Sequence, residues 1–126
     1  MGNTKVLIID DEMDFAEPLA TRLNKRGLDC KAASSANEAI NILKEKWLPD
    51  TVVIDLNMPE HDGIETLDML KKHLPDSKFI MLTGHATTKS SIDGINKGLS
   101  AYLLKPVAID ILIETIEAAL AETKDS

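Results

Sequence analysis

Cysteine is nearly missing from this chain: Cys30 is the single one in 126 residues, so no internal disulfide can form. It lies in an apparent strand, which gives it the reading of a small buried hydrophobe. Long hydrophobic runs are missing too, the longest being far too short to span a bilayer. The amino terminus has no apolar signal-peptide core, and M-G-N-T-K-V lacks the Ser or Thr that a myristoylation signal places sixth. A cytoplasmic protein without a membrane anchor is therefore expected. Positive charge is in deficit, with 14 Lys and Arg against 21 Asp and Glu and a net charge of −7. This balance argues against direct binding of nucleic acid by the domain, though not against a partner that binds DNA. No repeat, low-complexity tract or linker divides the chain. No G-x-x-x-x-G-K-[ST] or G-x-G-x-x-G loop follows the first strand, which disfavours a nucleotide-binding protein.

What is present is enough for one domain. A length of 126 residues, 44% apolar and 28% charged, suits a single globular core. The most informative stretch is 51–63, T-V-V-I-D-L-N-M-P-E-H-D-G. Its first four residues are β-branched and apolar after Thr51, as a strand buried on both faces of a parallel sheet requires. The run ends in the carboxylate of Asp55, and Pro59, Asp62 and Gly63 then supply turn chemistry. A lone strand-end aspartate would read as a turn cap, so Asp55 has to be weighed with the other strand ends.

Five alternations of strand and helix follow along the chain. Residues 5–9, K-V-L-I-I, end in Asp10, Asp11 and Glu12. Phe15, Ala16, Leu19, Ala20 and Leu23 then recur at helical spacing, with Asp14 as candidate cap and Gly27 as stop. Pro18 within this helix predicts a late start or a slight bend. Residues 28–33 form a weaker second strand, and Ser35-Ala36-Asn37-Glu38 is a capping-box pattern opening a helix with Ala36, Ala39, Ile40 and Leu43 inward. W-L-P-D at 47–50 closes that helix and makes Trp47 a packing residue. Ile64, Leu67, Met69 and Leu70 line a third helix ending near Pro75. Residues 78–82 and 101–104 are the fourth and fifth strands, ending at Thr83-Gly84 and Lys105-Pro106. Between them, 86–97 has faint helical spacing weakened by Thr87, Thr88, Ser90, Ser91 and Gly94, which predicts a marginal, mobile helix. The last helix, from Ala108, carries Ile109, Leu112, Ile113, Ile116, Ala119 and Leu120 on one stripe and leaves Ile111 off it.

Alternation of this kind implies a parallel sheet covered by helices on both faces, so all strand ends share one edge. That edge gathers Asp10, Asp11, Asp55, Thr83 and Lys105. Clustered carboxylates repel one another and favour a shared cation, and a hard divalent ion such as Mg2+ suits one or two carboxylates plus phosphate oxygens. Lys105 and Thr83 then serve the phosphate, Gly84 leaves room for it, and Asp55 in the middle becomes a nucleophile giving an acyl phosphate.

These residues resemble the receiver domain of two-component response regulators, over essentially the whole chain. Asp10 and Asp11 match the family's acidic pair, Asp55 its phosphoacceptor, Thr83 its switch hydroxyl, Tyr102 its switch aromatic and Lys105 before Pro106 its lysine. The resemblance implies a flavodoxin-like, doubly wound α/β fold: five parallel strands in the order 2-1-3-4-5, flanked by five helices. It implies one receiver domain over 1–126 without an output domain, and a cis Lys105–Pro106 bond. Magnesium would be held by Asp11, Asp55 and the main-chain carbonyl of Asn57, with Asp10 supporting through water.

The implied activity is a switch rather than an enzyme, catalysing only its own phosphorylation and dephosphorylation. A phosphohistidine on a sensor histidine kinase or histidine phosphotransfer protein donates to Asp55. Thr83 then moves to the phosphate and Tyr102 rotates into the space vacated. The surface of the 86–97 helix, the fifth strand and the last helix changes for a downstream effector or output domain, and Ile111 is a candidate contact there. Asn57, two residues after Asp55, and His85, two after Thr83, flank the expected path of an attacking water and are candidates for setting phosphate lifetime. Phosphorylation-dependent homodimerisation stays open, as does whether the chain is a complete regulator or an excised receiver.

Two rivals come from other classes. A magnesium phosphatase with an aspartyl nucleophile usually has a second aspartate two residues on as general acid, and Asn57 cannot take that role. A constitutive docking module that is not phosphorylated is disfavoured by the intact set of site residues. His61, in a turn, and His73, at a helix end, are read as solvated.

Overall fold

The computed structural model describes residues 3–55, 63–84 and 95–122, with the side chains of 63 and 64 left aside. Its strands are β1 (Lys5–Ile9), β2 (Asp29–Ala33), β3 (Thr51–Ile54), β4 (Lys78–Thr83) and β5 (Ala101–Leu104). They pair in parallel, in the order β2-β1-β3-β4-β5, as the resemblance implies. Four helices lie among the described residues: α1 (Met13–Lys25), α2 (Ala36–Leu43), α3 (Gly63–His73) and α4 (Ile109–Ala121). The fifth expected helix, over 86–97, falls mostly outside the described residues.

Strand side chains alternate between two cores, one on each face of the sheet. Val6, Ile8, Val53, Ile80 and Leu82 pack with α1 and α4, through Leu19, Leu23, Leu112 and Ile116. Leu7, Ile9, Val52, Ile54, Phe79 and Met81 pack with α2 and α3, through Ala39, Leu67 and Leu70. Continuous apolar runs in β1, β3 and β4 thus supply both layers. Cys30 is buried in the first core, and Ile111 is 46% exposed off the α4 stripe, both as expected. Trp47 packs against the second core while its indole N–H donates to Asp29 Oδ2 at 3.2 Å.

Two local expectations change. Helix α1 begins at Met13 with Glu12 at its N-cap, so Asp14 lies inside the first turn and is not the cap. Pro18 lies within the helix and does not delay its start. The only bond its missing N–H forfeits is to the carbonyl of Asp14, and the buried Ala16, Leu19, Ala20 and Leu23 outweigh that loss. The capping box of α2 is present: Ser35 Oγ accepts from the Glu38 N–H at 3.1 Å, and Glu38 Oε1 accepts from the Ser34 N–H at 2.7 Å. On the outer strand β2, the Asn24 side chain bonds both the N–H and the carbonyl of Cys30, at 2.7 and 3.2 Å, occupying backbone groups that an exposed edge would offer to another strand.

Candidate functional site

Three backbone hydrogen bonds extend the sheet one residue past its strands. The N–H of Asp10 donates to Ala33, that of Asp55 to Ile9 and that of Lys105 to Thr83, at 3.0, 3.0 and 2.9 Å. The candidate site residues Asp10, Asp55 and Lys105 are therefore held by the sheet ladder itself. Asp10, Asp55 and Thr83 are buried, at 2%, 5% and 0% exposure, whereas Asp11 is exposed.

Oxygen atoms of Asp10, Asp11 and Asp55 lie within 4.8 Å of one another. Lys105 closes this group from the far side, with Nζ 2.7 Å from Asp10 Oδ2, 3.2 Å from Glu12 Oε1 and 3.9 Å from Asp55 Oδ2. Its ammonium also lies 4.3 Å from the centre of the Phe15 ring. Asp10 Oδ1 accepts from the Glu12 N–H at 2.9 Å, which ties the start of α1 to the same carboxylate. An open depression of about 520 Å³, lined by Asp11, Glu12, Met13, Asp14 and Phe15, leads up to the group.

The electrostatics divide the pair. Burial pushes the Asp10 carboxyl above its ordinary 3.8, outweighing the hydrogen bond from Lys105 that favours its charge. Burial also opposes the Lys105 ammonium, but the hydrogen bond and charge of Asp10, with Asp55 and Glu12, together raise it above its ordinary 10.5. Lys105 is thus a fixed cation at neutral pH, and the charged form of Asp10 is the one that burial disfavours.

The donor set fits a hard divalent cation on its own terms. It is all oxygen, it is crowded with like charge, and the buried Oδ1 of Asp55 has no hydrogen-bond partner among the described residues. Tyr102 is half-buried against the second core, on β5, the strand that leads into Lys105. Asn57, His61 and His85 lie outside the described residues, and the Lys105–Pro106 bond is cis. Glu12 and Phe15 are the members of the site to which the sequence had given no role. Glu12 stands in the acidic run after β1, but nothing local links it to a lysine 93 residues away.

The family model for the response regulator receiver domain matches residues 6–117. The chain belongs to this family. The transcriptional regulatory protein ZraR of Salmonella typhimurium is 31% identical over 125 residues, which are 99% of this chain and 28% of that protein. The chain thus spans little more than a quarter of this relative. Among solved structures, a CheY-like receiver domain protein from Methanospirillum hungatei superposes with a TM-score of 0.88 at 30% identity, covering 96% of each chain. A response regulator from Burkholderia pseudomallei, with a phosphorylated aspartic acid, calcium ion and citrate, gives 0.85 at 26% identity, covering 95% of this chain and 70% of that one. The receiver fold is thus shared with these solved structures, and no described helix of this receiver domain is long and apolar enough to cross a membrane.

Proposed function

We propose that this receiver domain, over 1–126, is a phosphorylation-controlled switch of a two-component system, with Asp55 as phosphoacceptor. The observation that carries this reading is the setting of Asp55: a buried carboxylate just past the central strand, one oxygen without a partner among the described residues, with carboxylates on one side and Lys105 at 3.9 Å on the other. The phosphorylated aspartic acid and calcium ion of the Burkholderia structure support it by likeness.

Asp11, Asp55 and the main-chain carbonyl of Asn57 would hold magnesium, with Asp10 supporting through water. When bound, the ion neutralises charge that builds on the phosphoryl oxygens. Asp55 attacks the phosphorus of a phosphohistidine on a histidine kinase or phosphotransfer protein. The P–N bond breaks as the P–O bond to Asp55 forms, and the departing imidazole nitrogen takes a proton. Lys105 moves from its carboxylates toward the phosphoryl oxygens. Thr83, fully buried, turns its hydroxyl to the same group, and Tyr102 rotates inward. Ile95, Leu104 and Ile111, at 62%, 57% and 46% exposure, mark the surface that an output domain, an effector or a second copy would read. Asn57 and His85 set how long the phosphate lasts. The domain acts on itself alone, in the cytoplasm, and does not contact DNA directly.

The test is intact mass after incubation with acetyl phosphate, with and without magnesium. One added phosphoryl group that needs magnesium supports the reading. An unchanged mass in both, together with no binding of magnesium, removes it.

A further inference from the structure

Lys105 faces more carboxylate than a phosphate-binding lysine needs. An ammonium has three protons to donate. Asp10 Oδ2 takes one at 2.7 Å and Glu12 Oε1 another at 3.2 Å, while Asp55 Oδ2 stands beyond hydrogen-bond range at 3.9 Å. One proton stays free, and Lys105 can turn a second to a group on Asp55 only by releasing one of these two holds.

The two holds differ in what it costs to release them. The Asp10 side chain is 3% exposed, so leaving it without Lys105 strands a buried carboxylate. The Glu12 side chain is 67% exposed, and water takes over its oxygens as soon as the lysine leaves. The backbone of Glu12, by contrast, is fixed. Its N–H donates to Asp10 Oδ1 at 2.9 Å, and its carbonyl accepts from Phe15 and Ala16 at the start of α1. Only the side chain is left to swing.

We propose that Glu12 is a positioning residue of the phosphoryl-transfer site: a releasable counter-ion that holds the Lys105 ammonium back from Asp55 and yields it when phosphoryl oxygens arrive. The proposal rests on Asp55 being the phosphoacceptor. Glu12 then competes with the phosphoryl group for one ammonium proton, and so sets how tightly the site grips that group without touching it. Asp14 provides the control. It lines the same depression, yet the ion pairs of Lys105 among the described residues are with Asp10, Glu12 and Asp55 alone.

The experiment measures binding of beryllofluoride, a phosphoryl mimic, at saturating magnesium to the wild-type chain, Glu12→Gln and Asp14→Asn. The nitrogen NMR signal of the Lys105 ammonium is recorded in each before beryllofluoride is added. Glu12→Gln is expected to bind about three- to fivefold more tightly, the scale of one exposed ion pair, with the Lys105 signal shifted in the free protein. Asp14→Asn is expected to bind within about twofold of wild type with that signal in place. An equal gain in both variants, no gain in Glu12→Gln, or an unmoved Lys105 signal in Glu12→Gln overturns the proposal. Failure of the wild-type chain to bind beryllofluoride at all removes the phosphoacceptor reading beneath it, which is a distinguishable result.

Discussion

The ammonium of Lys105 lies 2.7 Å from Oδ2 of Asp10, joining the ends of β5 and β1 across the two strands that separate them in the sheet. Asp55 directly follows one of those intervening strands, β3, so the pair spans the Asp55 carboxylate. Lys105→Met should lower stability at pH 7 by about 2 kcal/mol, less than the full cost of stranding a buried charge because Asp10 can take up a proton. The carboxyl of Asp10 already sits above its ordinary 3.8, so the stability linked to its proton is present below that value and lost as pH rises through the folded one. Wild type should therefore fall behind Asp10→Asn as pH rises from 4 to 7 in metal-free buffer. Urea midpoints at the two pH values check both expectations.

The same crowding predicts a response to magnesium. An ion that binds only the folded state at ten times its dissociation constant adds about 1.4 kcal/mol. Thermal unfolding with and without magnesium should show this gain in the wild-type chain. It should be lost in Asp55→Asn and Asp11→Asn, which remove oxygen charge from the cluster within 4.8 Å. Calcium should act in the same direction, since both ions take oxygen ligands.

Cys30 offers a test remote from the site. Burial, with a smaller contribution from the charge of Asp29, pushes its thiol up to about 12 from an ordinary 9.0. Reaction with a thiol reagent at pH 8.5 should be slow in the folded chain and fast in urea. The unfolded thiol ionises first, so this contribution to stability is whole below 9.0 and is lost as pH rises toward 12.

Gly98, which leads toward β5, has φ +100°, and a Cβ there would collide with the Lys71 ammonium. Lys71 Nζ donates to the carbonyl of Lys97 at 3.0 Å, and Lys97 Nζ pairs with Asp68 at 2.9 Å, so α3 holds this turn from two positions. Gly98→Ala should cost about 1–2 kcal/mol, nearly all from the backbone. Adding Lys71→Ala should recover little of it, because the side-chain end can move but the positive φ remains. Denaturant unfolding of the single and double variants separates the two parts.

How much of this was legible in the sequence depended on how local the signal was. The strand ends at Asp10, Asp55, Thr83 and Lys105 were readable because each closes an uninterrupted apolar run, and parallel topology sends such ends to one edge. Their convergence then followed from alternation alone. The start of α1 was not readable to the residue, since D-D-E-M-D offers several acidic caps and tertiary contacts choose among them. Pro18 does not delay the start of the helix, because core packing overrides the loss of one helical bond. The contacts of Lys105 with Glu12 and Phe15, and the bracket of Asn24 on Cys30, join elements that no periodicity connects. The order 2-1-3-4-5 came from the family resemblance and not from the hydrophobic pattern.

The most direct measurement locates the phosphoryl group. The chain is phosphorylated with acetyl phosphate and magnesium, reduced with borohydride, which converts an acyl phosphate to an alcohol, and digested for peptide mass mapping. Reduction at Asp55 alone, and none in Asp55→Asn, is the predicted result. A reduced residue elsewhere in the wild-type chain, or a stable adduct on a histidine or serine, contradicts the account of Asp55 as the acceptor.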